Sequence, residues 1–290
     1  MNLLEAKDIL ENKGQKLLEA LYGKTGIKDN LKRYETVLKG FSKEFGEKDV
    51  KLFSSPGRTE ISGNHTDHNN GKVLGGSINL DCVAVAAKND SDYVNIISES
   101  FSQKFRVNTK DIEPGKDKIG TIELLKGILA GFRQRGANIG GFDAYITSNV
   151  ISSAGVSSSA AFETLICQII NTLFNEGKLS KTDYAYIGKY AENNYWDKAS
   201  GLLDQMCCAY GGLISIDFAN PDSPKVEEMD FDFAGAKHDL IIVQTGRGHA
   251  DLSADYSSIP AEMKKVAEFF GKSTLSEVDE DEFYKELPKI

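Results

Sequence analysis

The sequence predicts an α+β protein in which a mixed or antiparallel sheet packs against helices. Two patterns predict this class: helices and strands are interspersed along the 290 residues, and several strand patterns in the first half follow one another directly. A doubly wound parallel sheet would instead show regular alternation of strand and helix. With 40% apolar and 27% charged residues, the composition is that of a globular protein with a substantial core.

The first half of the chain opens with two amphipathic helical patterns, at 3–22 and 29–45, because apolar residues recur there near the helical period. A short strand pattern at 50–54 leads into a Ser-Pro-Gly turn signal. The residues that follow, 57–76, are rich in Gly, Asn, His and Asp and predict a loop. Further strand patterns lie at 80–88, 92–98 and 103–107.

The second half contains longer helices and isolated strands. Helical patterns lie at 119–135, 158–176, 181–195 and 201–210, and an acidic helical tail lies at 259–288. Strand patterns lie at 142–148, 212–217 and 239–245.

Charge and cysteine content argue against several classes of function. The net charge of −9 argues against a basic nucleic-acid-binding surface. No apolar run approaches the roughly 20 residues that span a bilayer, and residues 1–8 lack the basic start and apolar run of a signal peptide. The four cysteines show no metal-ligand spacing and are expected to be buried free thiols. We therefore predict a cytoplasmic protein that does not bind membranes or nucleic acid.

A serine-rich segment, residues 152–161, lies between a strand pattern and a helical pattern. Ser157, Ser158 and Ser159 fall at the predicted helix start, where unpaired N–H groups and the positive end of the helix dipole favour an anion. Their hydroxyl groups add donors and a hard oxygen ligand for Mg²⁺. One serine suffices to cap a helix, so three in succession favour a phosphate-binding loop. The chain contains neither the Walker A pattern nor the dinucleotide-binding G-x-G-x-x-G.

Residues 57–71 are dense in hydrogen-bonding side chains, as a polyhydroxylated ligand requires. Arg58 in this segment can also stabilise a transferring phosphoryl group. His65 and His68 flank Asp67, but three loop residues do not define a metal site. A solvated loop is the alternative interpretation.

Two carboxylates lie near the end of the third of the longer helical patterns and shortly after it. Asp204 lies in a mainly apolar run, residues 201–206, where a charged group needs either a partner or a function. Glu192 precedes it by twelve positions along the chain. Acids on a helix surface are the alternative, and the residues alone leave both interpretations open.

Together these three segments resemble the GHMP family of small-molecule kinases, and within it the galactokinases. The family's galactose signature, approximately G-R-x-N-x-I-G-E-H-x-D-Y-x-x-G, is matched by Gly57, Arg58, Gly63, His65, Asp67 and Gly71. The phosphate motif G-L-S-S-S-A is matched by residues 155–160, with Val156 in place of Leu. The catalytic motif S-G-x-x-D-Q is matched at positions 200, 201, 204 and 205. Residues 251–256 are similar to a later stretch that ends in a sugar-contacting Tyr.

The resemblance implies ATP-dependent phosphorylation of D-galactose at its anomeric hydroxyl, with Asp204 as general base and Arg58 stabilising charge beside it. It implies a GHMP-kinase fold with an N-terminal domain at 1–230 and the beginning of a C-terminal domain at 231–290. The implied ATP contacts are Gly155, Val156, Ser157, Ser158, Ser159 and Ala160. The implied Mg²⁺ ligands are Ser159 and Glu192. The implied sugar contacts are Arg58, Asn64, His65, Asp67, Gly201, Asp204 and Tyr256.

Several positions depart from the galactose signature, and among them Glu60 stands for Asn, Asn64 for Glu and His68 for Tyr. Because Asn64 hydrogen-bonds without charge, N-acetylgalactosamine, arabinose or a uronic acid stay open as the sugar. A sensor that binds galactose and ATP without turnover is a further alternative. The family's third, glycine-rich motif does not occur before Ile290. An incomplete second domain is therefore expected, with an exposed apolar surface that favours association into oligomers.

Overall fold

The computed structural model of the chain describes residues 1–152, 154–196, 198, 200–233, 235–243 and 253–290, without the side chains of residue 3 and residues 253–257. The helices are α1 (Leu3–Asp8), α2 (Gln15–Phe45), α3 (Thr121–Gln134), α4 (Ser158–Phe174), α5 (Lys181–Tyr195), α6 (Leu203–Tyr210), α7 (Ser253–Phe269) and α8 (Glu280–Glu286). The strands are β1 (Lys51–Ser62), β2 (Lys72–Lys88), β3 (Tyr93–Ser98), β4 (Gln103–Asn108), β5 (Phe142–Ser148), β6 (Leu213–Asp217) and β7 (Lys225–Met229).

The long strand β2 organises a seven-stranded sheet. β1 pairs antiparallel with β2 along most of its length. Residues 82–88 of β2 also pair with β5, and residues 72–76 pair with β6. β3 pairs antiparallel with β4 but parallel with β5, and β7 pairs antiparallel with β6. The predicted α+β class with a mixed sheet is therefore confirmed.

Both faces of the centre of β2 are covered by helices, which explains the uninterrupted apolar run at 82–87. Cys82, Ala84 and Ala86 face a core that includes residues of α3, α4 and α5. The alternate residues, 83, 85 and 87, pack on the other face against α2, including Phe41. Among the described residues no helix is both long and apolar enough to cross a membrane.

The predicted loop at 57–76 was largely wrong, because β1 continues to Ser62 and β2 begins at Lys72. These polar residues form strand because the two strands pair with each other, with register shifts after Pro56 and Glu60. The turn between them, which includes a 3-10 helix at Thr66–Asn69, occupies only residues 63–71.

Other differences concern the ends of the chain. The two predicted N-terminal helices form one long α2 that continues through the non-helical Gly23, preceded by the short α1 and a π-helical turn at Ile9–Lys13. Residues 239–243 form no strand, and residues 244 and 245 lie outside the described residues. The charged edge strand β7 has too little apolar patterning to have been predicted. The division into domains at 230/231 stays a prediction.

Candidate active site

Residues 154–157 of the serine segment form a loop that leads into α4, as predicted. Ser157 precedes the helix in the left-handed backbone region (φ 58°), and Gly155 has a φ of 71°. The Ser157 hydroxyl donates to Asp204, and the Ser159 hydroxyl donates to Glu192 over 2.9 Å. These serines therefore do not act as caps, and within the described part of the chain no side chain forms the N-cap bond of α4. The N–H groups of its first turn are left for an anionic ligand.

Strand β1 lies directly against this loop. The backbone N–H of Arg58 donates to the carbonyl oxygen of Val156 over 3.1 Å. A Cβ at Gly57 would lie 2.7 Å from the same oxygen and 2.9 Å from the Val150 side chain. The close approach therefore requires glycine at position 57, which fixes the loop relative to the sheet.

Arg58 and Asp204 form an ion pair between β1 and the first turn of α6. The Arg58 Nε atom lies 2.8 Å from Asp204 Oδ1, and an Nη atom of the same guanidinium lies 2.7 Å from that oxygen. The other Nη donates to the Gly155 carbonyl over 2.5 Å, and the Ser157 hydroxyl donates to Asp204 Oδ2 over 2.5 Å. One guanidinium thus connects the loop before α4 to the carboxylate.

The environment of Asp204 favours its ionised form. Burial by itself would raise the pKa of this carboxyl, but the Arg58 charge and the Ser157 hydroxyl outweigh burial and lower the pKa below its ordinary value. The pKa of Arg58 is raised because the attraction of Asp204 exceeds the opposing effect of burial. The Asp204 side chain keeps 32% of its surface exposed, so a ligand can reach it.

Asp67 lies against the backbone of Gly201, three positions before Asp204. A Cβ at position 201 would collide with the Asp67 carboxylate. The Asp67 side chain is 9% exposed, and its Oδ1 accepts the His68 backbone N–H over 3.0 Å. The structure therefore brings two distant predicted contacts, Asp67 and Gly201, together beside α6.

Two further predicted sugar contacts, His65 and Asn64, lie in the turn between β1 and β2. His65 has a left-handed backbone (φ 60°), and its ring centroid lies 5.8 Å from that of His68. Asn64 is exposed at the start of the same turn. The side chain of Tyr256 lies outside the described residues, so this position stays a prediction.

Glu192 is buried at the junction of α4, α5 and the segment before α6. Its side chain is 1% exposed. Oε1 accepts from the Ser159 hydroxyl over 2.9 Å and from the Lys198 ammonium over 2.6 Å. Oε2 accepts from the Gln205 amide over 3.1 Å and from the Ser200 hydroxyl. The Lys198 Nζ atom also lies 3.4 Å from Ser159 Oγ.

The Ser159 and Glu192 oxygens suit Mg²⁺ chemically. Both are hard donors, and Mg²⁺ in proteins is usually bound by one or two carboxylates together with substrate phosphates. The uncapped start of α4 beside the pair suits such phosphates. In the portion of the chain that the structure describes, no group of three His, Cys, Asp or Glu residues forms a metal centre on protein ligands alone.

A second buried carboxyl, Glu163 of α4, lies behind Glu192. It has no exposed surface, its Oε2 accepts from Gln205 over 3.2 Å, and its Oε1 has no hydrogen-bond partner among the residues that the structure describes. Burial, followed by repulsion from Glu192, raises the pKa of Glu163 well above its ordinary value. Sequence analysis missed both Glu163 and Lys198. The available signal for Glu163 was a carboxyl within a mainly apolar helical run, residues 160–166.

Two family descriptions match the chain. The galactokinase galactose-binding signature matches residues 39–88, which include Arg58 and Asp67. The GHMP kinases N terminal domain matches residues 123–212, which include the phosphate loop, Glu192 and Asp204. Every residue whose side-chain contacts define the site therefore lies within one of the two matches.

Curated galactokinases are similar to the chain over most of its length. The galactokinase of Lactobacillus helveticus is 30% identical over 257 residues, covering 86% of this chain and 65% of that protein. The galactokinase of Clostridium tetani is 35% identical over 173 residues, covering 60% of this chain and 44% of that protein. The chain thus spans less than two thirds of the length of these relatives.

Solved structures share the fold. Lactococcus lactis galactokinase complexed with galactose superposes with a TM-score of 0.72 at 22% identity, covering 87% of this chain and 66% of that chain. Methanococcus jannaschii mevalonate kinase superposes with a TM-score of 0.55 at 17% identity, covering 75% of this chain and 71% of that chain. These superpositions confirm the predicted fold.

Proposed function

Because this chain carries the galactokinase galactose-binding signature followed by the N-terminal domain of the GHMP kinases, we propose that it phosphorylates D-galactose at the anomeric hydroxyl with ATP. The observation that carries the proposal is the Arg58–Asp204 pair, which Ser157 and Gly155 tie to the phosphate loop. A carboxylate that is kept ionised next to an uncapped helix start can hold a hydroxyl nucleophile near a bound phosphoryl group.

In the proposed reaction the anomeric oxygen attacks the γ-phosphorus of ATP. The bond from that phosphorus to the β–γ bridging oxygen breaks, ADP leaves, and Asp204 accepts the hydroxyl proton. The lowered pKa makes Asp204 a weak base, so its main contribution is to orient the hydroxyl and accept the proton late. A weak base is sufficient for phosphoryl transfer, because the reaction depends mostly on positioning and on stabilising charge.

The other predicted residues have proposed roles around this centre. Residues 155–160 hold the ATP phosphates, with the N–H groups of α4 as donors. Asn64, His65, Asp67, Gly201 and Tyr256 bind the sugar. Ser159 and Glu192 hold Mg²⁺, whose contribution is to neutralise charge on the phosphate oxygens. A cytoplasmic location is supported by the four free, buried cysteines.

The test is ADP release from Mg-ATP across a panel of sugars that includes galactose, N-acetylgalactosamine, arabinose and a uronic acid. We expect galactose-dependent release that Asp204→Asn abolishes. Asp217→Asn changes a carboxylate at the end of β6 that pairs with the exposed Lys72 and accepts the backbone N–H of Ala219. It is the matched control and should keep full activity.

ADP release with another sugar instead of galactose would identify that sugar as the substrate. Asn64 would then be the first residue to substitute. Galactose and ATP binding without release under any condition would contradict the kinase and favour a sensor.

A further inference from the structure

The Glu192 carboxylate is fully occupied by protein donors. A carboxylate accepts about four hydrogen bonds, and Glu192 receives two on each oxygen: Ser159 and Lys198 on Oε1, Gln205 and Ser200 on Oε2. A metal ion that uses Glu192 must therefore displace one of these four donors.

Lys198 is the donor that can leave. Gln205 is 1% exposed, Ser159 belongs to the first turn of α4, and the backbone N–H of Ser200 donates to Asn193 over 2.8 Å, so all three are held by the fold. Lys198 keeps 48% of its side chain exposed and has a flexible four-carbon stem. Its ammonium also lies 5.7 Å from the Trp196 ring centroid, which offers a cation a second favourable contact.

Lys198 also supplies the charge that Glu192 needs in the absence of metal. A buried carboxylate without a cation is strongly destabilising. The Lys198 Nζ atom contacts the same two oxygens that the metal would use, at 2.6 Å and 3.4 Å.

We propose that Lys198 is a tethered cation that occupies the Mg²⁺ position of the Ser159–Glu192 pair, and that the metal enters by exchanging with this ammonium. The inference rests on the proposed function, which assigns the pair to Mg²⁺. Lys198 would then have two opposing effects. It keeps Glu192 in place before the metal binds, and by competing with the metal it weakens the apparent affinity for it.

The chain's one tryptophan makes the exchange measurable without catalysis. Trp196 is near Lys198, so Tb³⁺ bound at the pair should emit when the tryptophan is excited selectively. We expect Lys198→Met to bind Tb³⁺ about tenfold more tightly than the wild type, since a hydrogen bond to a charged group contributes at least about that factor. Glu192→Gln should abolish the tryptophan-excited signal. Lys178→Met removes an exposed lysine paired with the exposed Glu176 and should bind like the wild type.

A second readout addresses the stability of the variants. Lys198→Met leaves Glu192 without its cation, so Mg²⁺ should raise its Tm more than that of the wild type, and Lys198→Gln, which keeps a neutral donor, should behave in the same way. Unchanged or weaker Tb³⁺ binding in both variants, with equal Tm shifts, would overturn the competition while leaving the metal site intact. A signal that survives in Glu192→Gln would overturn the metal assignment itself.

Discussion

Two residues from separate elements set the ionisation of Asp204. Arg58 holds Oδ1 and Ser157 holds Oδ2, and together they outweigh burial. The depressed pKa keeps the carboxylate ionised at every pH above it, so the wild-type kcat/KM should show no Asp204 acid limb above the ordinary value of 3.8. In Arg58→Met the effect of burial on the pKa of Asp204 is opposed less strongly, so this pKa should rise. We therefore expect a slower enzyme whose acid limb lies at higher pH.

Arg106→Met is the control for the pH profile, because Arg106 stacks on Tyr93 at a distance of 3.9 Å and is a cation outside the site. Its profile should superpose on that of the wild type. An unshifted acid limb in Arg58→Met would show that Arg58 does not govern the ionisation of Asp204.

The pKa of Glu163 is shifted in the opposite direction to that of Asp204, and this shift leads to a prediction about stability. Its pKa is raised in the folded protein, so between the ordinary 4.5 and the raised value the folded state binds more protons than the unfolded state. The free energy of unfolding therefore falls as pH rises through that window. Glu163→Gln does not titrate, so we expect it to gain stability relative to the wild type as pH rises, by about 1.4 kcal/mol per unit of pKa shift.

Urea unfolding at several pH values measures this difference, with the exposed Glu262→Gln as control. A wild-type minus variant difference that stays constant with pH would contradict a protonated Glu163.

At this scale the sequence predicted which residues are polar and close along the chain, but not where their side chains point. The serine segment was found because its motif is local. The direction of the Ser159 hydroxyl is set by α5, which places Glu192 33 positions away. Lys198 was missed because the sequence between α5 and α6 has no periodicity to interpret.

At the scale of elements, the contact between β1 and the phosphate loop depends on Gly57. An alanine there would place its Cβ 2.7 Å from the Val156 carbonyl oxygen, so either the loop or the strand must move. We expect Gly57→Ala to lower stability by about 1–3 kcal/mol and to raise the KM for ATP more than that for sugar. Unfolding and initial-rate kinetics measure the two effects.

Gly76→Ala is the matched control within β2, since its Cβ would meet its nearest neighbour at an ordinary 3.4 Å. Equal effects of the two substitutions would contradict a specific role for the β1–loop contact.

Element types were largely predictable, whereas pairing between polar strands was not. The helices α3 to α6 and the strands β3 to β6 lie within a few residues of their sequence patterns, because their apolar periodicity reflects burial. The ends of β1 and β2 that face each other were predicted as loop. Their strand structure comes from mutual backbone pairing around Arg58 and Gly75, which composition does not encode.

At the scale of the whole molecule, a buried polar cluster attaches α2 to the sheet. Asp81 of β2 is only 2% exposed. Its carboxylate accepts hydrogen bonds from Arg33 over 2.8 Å, from Tyr22 over 2.5 Å and from Ser54 over 2.6 Å. Removing the cation leaves a buried carboxylate unpaired, so Arg33→Ala should cost about 3–5 kcal/mol of unfolding free energy. Tyr22→Phe removes the hydroxyl that donates to Asp81 and lies 3.2 Å from the Tyr34 hydroxyl, and should cost about 1–3 kcal/mol.

Equilibrium denaturation provides both values. Lys39→Ala removes an exposed i,i+4 pair with Glu35 and should change stability by less than about 0.5 kcal/mol. If Arg33→Ala is as mild as this control, the cluster does not attach α2 to the sheet.

The central position of β2 also determines the order in which parts of the sheet can unfold. Residues 82–86 are hydrogen-bonded to β1 on one side and to β5 on the other, beneath helices on both faces. No local opening releases their amides without separating the sheet. These amides should therefore exchange with deuterium last, at a rate that reports complete unfolding, while those of the edge strand β7 exchange early.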